Sequence, residues 1–515
     1  MPATGRGSPV LLIGFAMLIA LYVAQIIANG DLKSFAILAA FGMLCVLASA
    51  IMKDWRFGIP ILFVWLALED LLRKYVGNSL VIYAVKDVLF LLILVSYFLE
   101  GWKRRGDSFK NPVRVPLLLW FGWAIAECFN SQITNFAVPA LGLRMSFLYI
   151  PLIYLGYQFF ADETQLKKFS LYMLEIGAVV SVLGIIQSII GLSFLNPIAD
   201  DPYLRLRLIR YVPGTNEQIF RPTGTFVDAG RFSQYLFVVA FIGLGLLAYL
   251  YSTQGTKGRK YILLPLTCWM LVLAGIFASA QRSIILLLAV SFILLVPAYL
   301  FAKQGRVRVH NLRPVIRAVL AGMLALVLLY AWFPDRFGSV FRFYDSTINP
   351  ESQYSEVGSR SVGYWGGIVS AYDRSGAMGH GTGSASLGLQ YLYKAVTESA
   401  YSEINHVEGG FAGVLWEWGG VGLALWLWWT CFLIIAMLRK MVILRGTPYY
   451  WLGVSILLFT VCFLFPLFYL GFQIYQNYVS QAFFYFLVGL FFRLPALAER
   501  ESKLIAVPSR RTAEA

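Results

Sequence analysis

The sequence predicts an all-α protein that crosses a membrane many times. Of its 515 residues, 59% are hydrophobic and only 13% are charged, whereas soluble domains carry about 25% charged residues. Apolar runs of about 20 residues, the length that lets a helix cross a bilayer, recur along the whole chain. The alternating pattern of a membrane barrel is absent. We therefore expect a polytopic membrane protein with about 14 helices.

The excess of positive charge fits the loops of a membrane protein. The chain carries 42 Lys and Arg against 27 Asp and Glu, a net charge of +15. In a soluble protein this balance would suggest nucleic acid. Here the basic residues cluster in short loops between apolar runs, which is typical of cytoplasmic loops. We therefore expect membrane lipids as neighbours and no nucleic acid. The five cysteines have no metal-ligand spacing and are interpreted as small core residues.

The apolar runs and the basic loops together predict a topology. The first run lacks a cleavage site of small residues, so we interpret it as a membrane helix rather than a signal peptide. Assigning every basic short loop to the cytoplasm places both termini there, with a cytoplasmic tail at 498–515. Helices 1 to 11 (within 1–333) are expected at about 10–29, 34–52, 58–72, 82–99, 115–129, 143–160, 171–191, 232–251, 262–279, 284–302 and 315–333, and helices 12 to 14 (within 410–497) at about 410–437, 450–471 and 479–496.

Two polar segments are predicted on the outer side. The loop at about 195–231 is rich in arginine, against the usual charge bias, and this predicts an anionic ligand at the outer face. The segment 334–409 is the longest polar interruption, and we expect it to form a large periplasmic loop. Its Gly-His-Gly-Thr-Gly-Ser run at 379–384 is interpreted as a glycine-rich turn with an incidental His380, because the Gly-Lys-Ser/Thr of a P-loop is missing. The arginines of the first loop are Arg205, Arg207, Arg210, Arg221 and Arg231.

Three arginines on separate outer segments are the main candidates for ligand binding: Arg221, Arg282 and Arg360. A guanidinium stays charged and binds phosphate oxygens with a planar fork. That suits the diphosphate of a lipid-linked sugar and the charge that builds as this group leaves. Each arginine by itself could equally be solvated or contact lipid headgroups. His406 could act as a general base or be an interfacial hydrogen-bonding residue. No His/Cys cluster has metal spacing, so we expect neither a metal nor a cofactor.

Further polar and aromatic residues have two interpretations each. Tyr364 and Trp365 could stack on sugar rings or anchor the chain at the membrane interface. Glu69 and Asp70, near the outer end of predicted helix 3, could pair with charged residues of helix 4 such as Lys86, or lie at the water interface.

Four short stretches between about 220 and 440 follow one another in a recognisable order. They are Arg221–Phe226, Ser279–Ser283, Arg360–Trp365 with the glycine run at 379–383, and His406 with Glu417, Gly419 and Gly422. In this order they resemble the O-antigen ligase and polysaccharide polymerase family of bacterial membrane glycosyltransferases. The chain departs from that pattern in three places. The glutamate and glycine that follow the histidine fall about two residues later than is usual in the family. Asn405 precedes the histidine instead of following it, and Ala280 and Gln281 interrupt the serine–arginine pair.

The resemblance implies an activity and a set of roles. The family comprises metal-independent, inverting glycosyltransferases of the multi-helix, GT-C-like class. They polymerise or ligate glycans carried on undecaprenyl diphosphate at the periplasmic face of the bacterial inner membrane, without a nucleotide sugar. By resemblance, Arg282 and Arg360 would bind the diphosphate and His406 would activate the acceptor hydroxyl. Arg221, Asn405 and Tyr364 complete the expected substrate-binding set. The implied partners are the lipid-linked oligosaccharide and other polysaccharide assembly proteins.

Three functions remain open at this point. A polymerase and a ligase are not separated by these residues, although the large helix count favours a polymerase. A transporter or flippase of lipid-linked oligosaccharide predicts charges along a central path and, often, internal repeats. A non-catalytic assembly scaffold predicts that His406 is dispensable. The outer location of the cationic residues favours surface chemistry.

Overall fold

A computed structural model describes the chain in a series of segments. They are residues 32–76, 80–103, 109–133, 135–191, 193–197, 208–212, 215–254, 259–303, 330–348, 356–386, 410–464 and 475–506, with the single positions 327 and 389. Predicted helix 1 and most of predicted helix 11 lie outside these residues. His406 and Asn405 lie outside them as well.

The described residues form fifteen α-helices and a two-stranded antiparallel sheet. In chain order the elements are α1 Leu32–Lys53, α2 Trp55–Val76, α3 Leu80–Lys103, α4 Arg114–Ala126, α5 Ala137–Phe147, α6 Leu152–Phe159, α7 Glu163–Ile190, β1 Ile209–Tyr211, β2 Gln218–Phe220, α8 Ala229–Gln254, α9 Arg259–Ala278, α10 Arg282–Lys303, α11 Pro334–Ile348, α12 Glu356–Ser375, α13 Gly410–Leu444, α14 Tyr450–Leu464 and α15 Tyr478–Ala506.

Six helical stretches within the described segments are long and apolar enough to cross a membrane. They are Ile82–Gly101, Ala137–Phe159, Glu163–Ile190, Ala229–Thr253, Gly410–Leu444 and Tyr478–Arg500. Shorter apolar helices cover Leu44–Lys53, Ile262–Ala278, Arg282–Ala298 and Tyr450–Leu464. The chain is thus mostly helical with several membrane-crossing candidates, in agreement with the predicted all-α membrane class.

Several predicted elements differ in detail from the structure. Predicted helix 7, at about 171–191, begins already at Glu163, and predicted helix 14, at about 479–496, continues to Ala506. Predicted helix 6, at about 143–160, is broken into α5 and α6. Pro151 lacks the N–H that would continue the ladder, and the chain there makes tighter turns, with Leu152 N donating to Tyr149 O at 3.0 Å. The polar segment 334–409, predicted as a loop, contains α11 and α12. Predicted helix 12 continues to Leu444 as α13 and has a backbone break at Gly419, where φ is +63°.

The chain divides into two compact units. The first comprises residues 1–63 and 84–106, and its described part holds α1, the start of α2 and most of α3. Ser96 Oγ donates to Ile51 O at 2.7 Å, and the Trp55 and Tyr97 rings meet edge to face at 5.2 Å. These contacts join the three helices within the unit.

The second unit comprises Val64–Tyr83 and Asp107–Ala515, and α8 is its central helix. It packs against α7, α9 and α14. Polar side chains join these neighbours inside the apolar core: Trp269 Nε1 donates to Ala240 O at 2.9 Å, and Ser455 Oγ donates to Phe241 O at 2.5 Å. These bonds satisfy the buried indole N–H of Trp269 and the buried hydroxyl of Ser455, so they fix how the helices meet.

A cluster of tryptophan rings positions α13 against α4. Trp120 of α4 is fully buried and lies 5.3 Å from Trp418, 4.8 Å from Trp426 and 5.7 Å from Trp429 between ring centres. Large aromatic side chains bury much apolar area, and edge-to-face pairs add a further contribution of about 0.5–1.5 kcal/mol each. The cluster therefore packs the part of α13 from Trp418 to Trp429 against α4.

Candidate functional site

A β-hairpin carries Arg221. Ile209 pairs with Phe220, and Tyr211 pairs with Gln218. Arg221 N then donates to Leu208 O at 2.8 Å, which extends the ladder by one residue and fixes the backbone of the arginine. Val212 and Ile219 of the hairpin are buried.

The hairpin packs on the turn between α9 and α10. The buried cluster that joins them contains Phe277, Ala278 and Ala280, with Ile285 packed against it. Ala280 has a positive φ of 51°, an uncommon conformation for a residue other than glycine. This tight turn makes Arg282 the first residue of α10, next to the hairpin. Helix N-termini carry partial positive charge. The N-terminus of α10 and the guanidinium of Arg282 therefore both favour the binding of an anion.

Helix α11 completes the cluster and brings two aromatic residues to the arginines. Phe337, Val340 and Phe343 of α11 are buried in it. The guanidinium carbon of Arg282 lies 3.5 Å from the centre of the Phe343 ring. Tyr344 donates its hydroxyl to Phe277 O at 2.9 Å. A guanidinium stacked on an aromatic face keeps its plane fixed.

An ion pair at the rim links the hairpin to α11. Arg342 Nε donates to Glu217 Oε2 at 2.9 Å, and its Nη2 bonds the other carboxylate oxygen. The hydrogen bond to Arg342 lowers the pKa of Glu217. Arg342 is 59% exposed, so solvent screens this ion pair and it adds little to stability. This ion pair lies at the edge of the arginine cluster, by which we mean Arg221 and Arg282, and it does not neutralise their charges.

Like charges accumulate around Arg221. Burial, followed by the charges of Arg210 and Arg282, lowers the pKa of Arg221 to about 10. Asp228 and Tyr344 act in the opposite direction. Arg221 Nε is buried and has no hydrogen-bond partner among the described residues. The guanidinium remains charged near neutral pH and has a donor unused within those residues, so an anion bound here would be strongly favoured.

Arg231 is excluded from this set because it is already neutralised. Its Nη1 lies 3.1 Å from Asp70 Oδ2, and Asp70 also pairs with Arg73 at 3.0 Å. Asp70 is completely buried. The sequence had suggested helix 4 or the water interface as the surroundings of Asp70. The observed partners are an arginine one turn along its own helix and an arginine at the start of α8.

The glycine run at 379–383 forms turns, as predicted, and these turns pack on the start of α13. Gly379, Gly381 and Gly383 all have positive φ. His380 N donates to Trp416 O at 2.8 Å, and the His380 and Trp416 rings stack at 3.9 Å. Burial lowers the pKa of His380. This histidine therefore has a packing role, which the prediction of an incidental residue did not include.

Glu417 organises the same turn from inside the protein. It is fully buried and accepts hydrogen bonds from Gly383 N at 3.1 Å, Ala385 N at 3.2 Å and Ser386 Oγ at 2.9 Å. A carboxylate with these partners satisfies buried backbone donors. Through these contacts, Glu417 holds the turn at 383–386 against α13.

The predicted site residues have different outcomes. Arg221 and Arg282 come together in one cluster, although 60 positions separate them in the sequence. Arg360 lies within α12, and Tyr364, in the next turn of that helix, has its ring 5.9 Å from the ring of Trp365. His406 and Asn405 fall outside the described residues, so their place beside the arginines stays a prediction. Within the described segments, no group of three or more His, Cys, Asp or Glu side chains could hold a metal ion.

Sequence reasoning missed Phe343, Tyr344 and Lys74. The first two lie in Phe341-Arg-Phe-Tyr344 of the amphipathic helix α11, and that periodicity was the available signal. Lys74 follows Asp70 by one helical turn at the end of an apolar run, where a lysine usually anchors at the interface.

Comparison with known protein families gives no match for this chain, and a search of curated proteins finds no similar sequence.

Proposed function

We propose that this protein is a metal-independent, inverting glycosyltransferase of the bacterial inner membrane. Its donor is a glycan linked to undecaprenyl diphosphate, and it extends or transfers that glycan at the periplasmic face. The proposal includes about 14 membrane helices, cytoplasmic termini and a periplasmic position for 334–409. A polymerase that joins repeat units of a surface polysaccharide is the form we favour, with ligation to another acceptor as the same chemistry on a different hydroxyl.

The observation that carries the proposal is the convergence of Arg221 and Arg282. They arrive from a hairpin and from a helix N-terminus, and α11 supports Arg282 with the Phe343 ring. Two clustered guanidiniums suit a ligand with two adjacent anionic groups, because each can bind oxygens of one phosphate. A lipid-linked diphosphate has this charge and must lie at the end of membrane helices.

The reaction needs three contributions from the chain. The acceptor hydroxyl attacks the anomeric carbon of the donor sugar, a new C–O bond forms, and the bond from that carbon to the diphosphate oxygen breaks. The lipid diphosphate leaves with the electron pair, and Arg221, Arg282 and Arg360 stabilise the developing charge. His406 takes the proton of the attacking hydroxyl. Attack opposite the leaving group inverts the anomeric configuration.

The proposal is tested with purified protein in liposomes that contain a lipid-linked repeat unit. Arg282→Gln, Arg221→Gln and His406→Ala are compared with Arg342→Gln, which removes an exposed arginine at the rim of the same cluster. We expect the first three to lose product formation, by about 100-fold or more for Arg282→Gln. Arg342→Gln should keep activity within about threefold of the unmodified protein.

The species that accumulates identifies the step. Lipid-linked repeat units without long polymer support a polymerase, whereas finished polymer left on its lipid supports a ligase. Normal product from Arg282→Gln and His406→Ala, at equal protein levels, would contradict the proposed activity.

A further inference from the structure

Lys74 lies under the segment that carries Arg221. Its Nζ donates to Thr223 Oγ1 at 2.8 Å and to Gly224 O at 2.9 Å. Only 7% of the residue is exposed. It stands at the end of α2, about 150 positions before the residues that it binds. A buried ammonium or amine is costly unless it is hydrogen-bonded, so both contacts are needed for this placement.

The rest of the segment is held just as closely. Gln187 Oε1 accepts from Thr223 N at 2.8 Å and from Gly224 N at 2.9 Å. Thr225 Oγ1 donates to Ala67 O at 2.7 Å. Gly224 has a φ of +53°, which favours glycine. Three consecutive residues are therefore fixed by side chains or carbonyls from α2 and α7.

These bonds act on Arg221 through a single residue. Pro222 separates Arg221 from Thr223, and its ring restricts the backbone between them. On the other side, Arg221 N is bonded to Leu208 O of the hairpin. Hydrogen bonds therefore hold the backbone on both sides of Arg221. On one side the bond to Leu208 belongs to the hairpin, and on the other side the bonds are made by Thr223 and Gly224. Lys74 supplies two of the bonds at Thr223 and Gly224.

The two carboxylates whose charges act on Lys74, those of Asp70 and Asp228, also interact with arginines. Asp70, one turn earlier on α2, pairs with Arg73 and Arg231. Asp228 lies close to Arg231, with 3.7 Å between Nε and Oδ2. Because the Lys74 ammonium donates to Thr223 and Gly224, removal of Lys74 should loosen that pair first.

We propose that Lys74 is a positioning residue for the diphosphate site: it holds Thr223 and Gly224 so that the Arg221 guanidinium is fixed beside Arg282. The inference rests on the proposed function, because the ligand of the arginine pair is taken from it. Lys74 acts through Arg221 and does not itself contact the substrate. Its effect should therefore disappear when Arg221 is absent.

The experiment measures binding of farnesyl diphosphate, a short polyprenyl diphosphate, to the full chain in nanodiscs by calorimetry. Farnesol, which lacks the diphosphate, separates phosphate recognition from lipid binding. The variants are Lys74→Met, Arg221→Gln and their combination. Arg282→Gln is added as the test of the site itself, and Lys167→Met removes a more exposed lysine paired with Glu163 as the control.

We expect Lys74→Met to raise the Kd for farnesyl diphosphate about tenfold, from the loss of a fixed donor pair. In the Arg221→Gln background the same change should alter the Kd by less than about twofold. Lys167→Met should leave it unchanged. An equal fold-change in both backgrounds, or a lower melting temperature with an unaltered Kd, would overturn the positioning role.

Two further comparisons distinguish failure of the positioning role from failure of the diphosphate site. If Lys74→Met does not fold, Thr223→Val removes the hydroxyl that Lys74 binds, and the same comparison with and without Arg221 is made with it. If Arg282→Gln weakens binding but Lys74→Met and Thr223→Val do not, the positioning inference fails and the diphosphate site stands. If neither Arg282→Gln nor Arg221→Gln changes the Kd, the diphosphate site itself is wrong.

Discussion

The guanidinium of Arg282 is stacked on the ring of Phe343, with its central carbon 3.5 Å from the ring centre. Arg282 begins α10, whereas Phe343 belongs to α11 in the long polar segment. The contact therefore joins the apolar helix α10 to the polar segment in which the sequence predicts the chemistry. It also explains how a largely buried arginine is kept in one orientation.

Replacing Phe343 tests the importance of this stacking. Phe343→Leu should weaken farnesyl diphosphate binding about three- to tenfold, because a cation–π contact in a desolvated site is worth about 1 kcal/mol or more. Phe343→Tyr keeps the ring face and should bind normally. Phe337→Leu removes a ring from the same buried cluster and serves as the packing control. Equal Kd values for Phe343→Leu and Phe337→Leu would show that the ring does not orient Arg282.

Gly419 is predicted to tolerate no side chain. Its φ is +63°, and a Cβ at this position would lie 2.2 Å from Ala377 O. Gly419→Ala should destabilise the protein by more than about 2 kcal/mol, from the left-handed backbone and the clash combined. Melting temperature in detergent measures the effect. Gly363→Ala is the matched control: a Cβ there meets nothing within 4 Å, and helix propensity favours alanine by about 1 kcal/mol. Similar melting temperatures for the two variants would contradict this description of the break.

Glu417 should matter for stability and not for ligand affinity. Glu417→Gln replaces a carboxylate that accepts from two backbone N–H groups and from Ser386 with an amide that can accept at one end only. We expect a loss of about 1–3 kcal/mol in the free energy of unfolding. Ser386→Ala removes one of the three bonds and should cost less. A farnesyl diphosphate Kd that rises in Glu417→Gln while the melting temperature stays constant would assign Glu417 to the ligand site instead.

Lys74 should give the protein a pH-dependent stability. Burial lowers the pKa of Lys74 from 10.5 to about 7, against the opposing charges of Asp70 and Asp228. Between these two pKa values the unfolded chain binds more protons than the folded one, so the free energy of unfolding rises with pH across that window and falls as the pH returns toward 7. The melting temperature of the unmodified protein relative to Lys74→Met should therefore increase from pH 7 to pH 10. A constant difference would show that Lys74 does not titrate in this range.

Much of the fold follows from the sequence, because the length of an apolar run limits what it can form. The described helices begin and end within a few residues of most predicted ones. Pro151 is a local signal for the break, but the apolar run continues through it and predicts a single helix. The break at Gly419 depends on the turn at 377–379 that packs against it. The residues near Gly419 in the sequence do not predict this contact.

The candidate site was only partly predictable. Arg221 and Arg282 were identified from charge and residue type, which are local properties. Their support by Phe343 and Lys74 depends on contacts across 60 or more positions, and neither residue stands out from its neighbours in the sequence. Arg231 shows the reverse case: it looked like part of an anion site, and its buried partner Asp70 removes it from that set.

The central claim is that Arg221 and Arg282 bind one diphosphate together. The most direct measurement is a double-mutant cycle on the Kd for farnesyl diphosphate, using Arg221→Gln, Arg282→Gln and the combined variant. We predict that each single change weakens binding by at least about tenfold and that the double variant loses less than the product of the two, because both arginines share one ligand. Single variants that bind as tightly as the unmodified protein would contradict the claim.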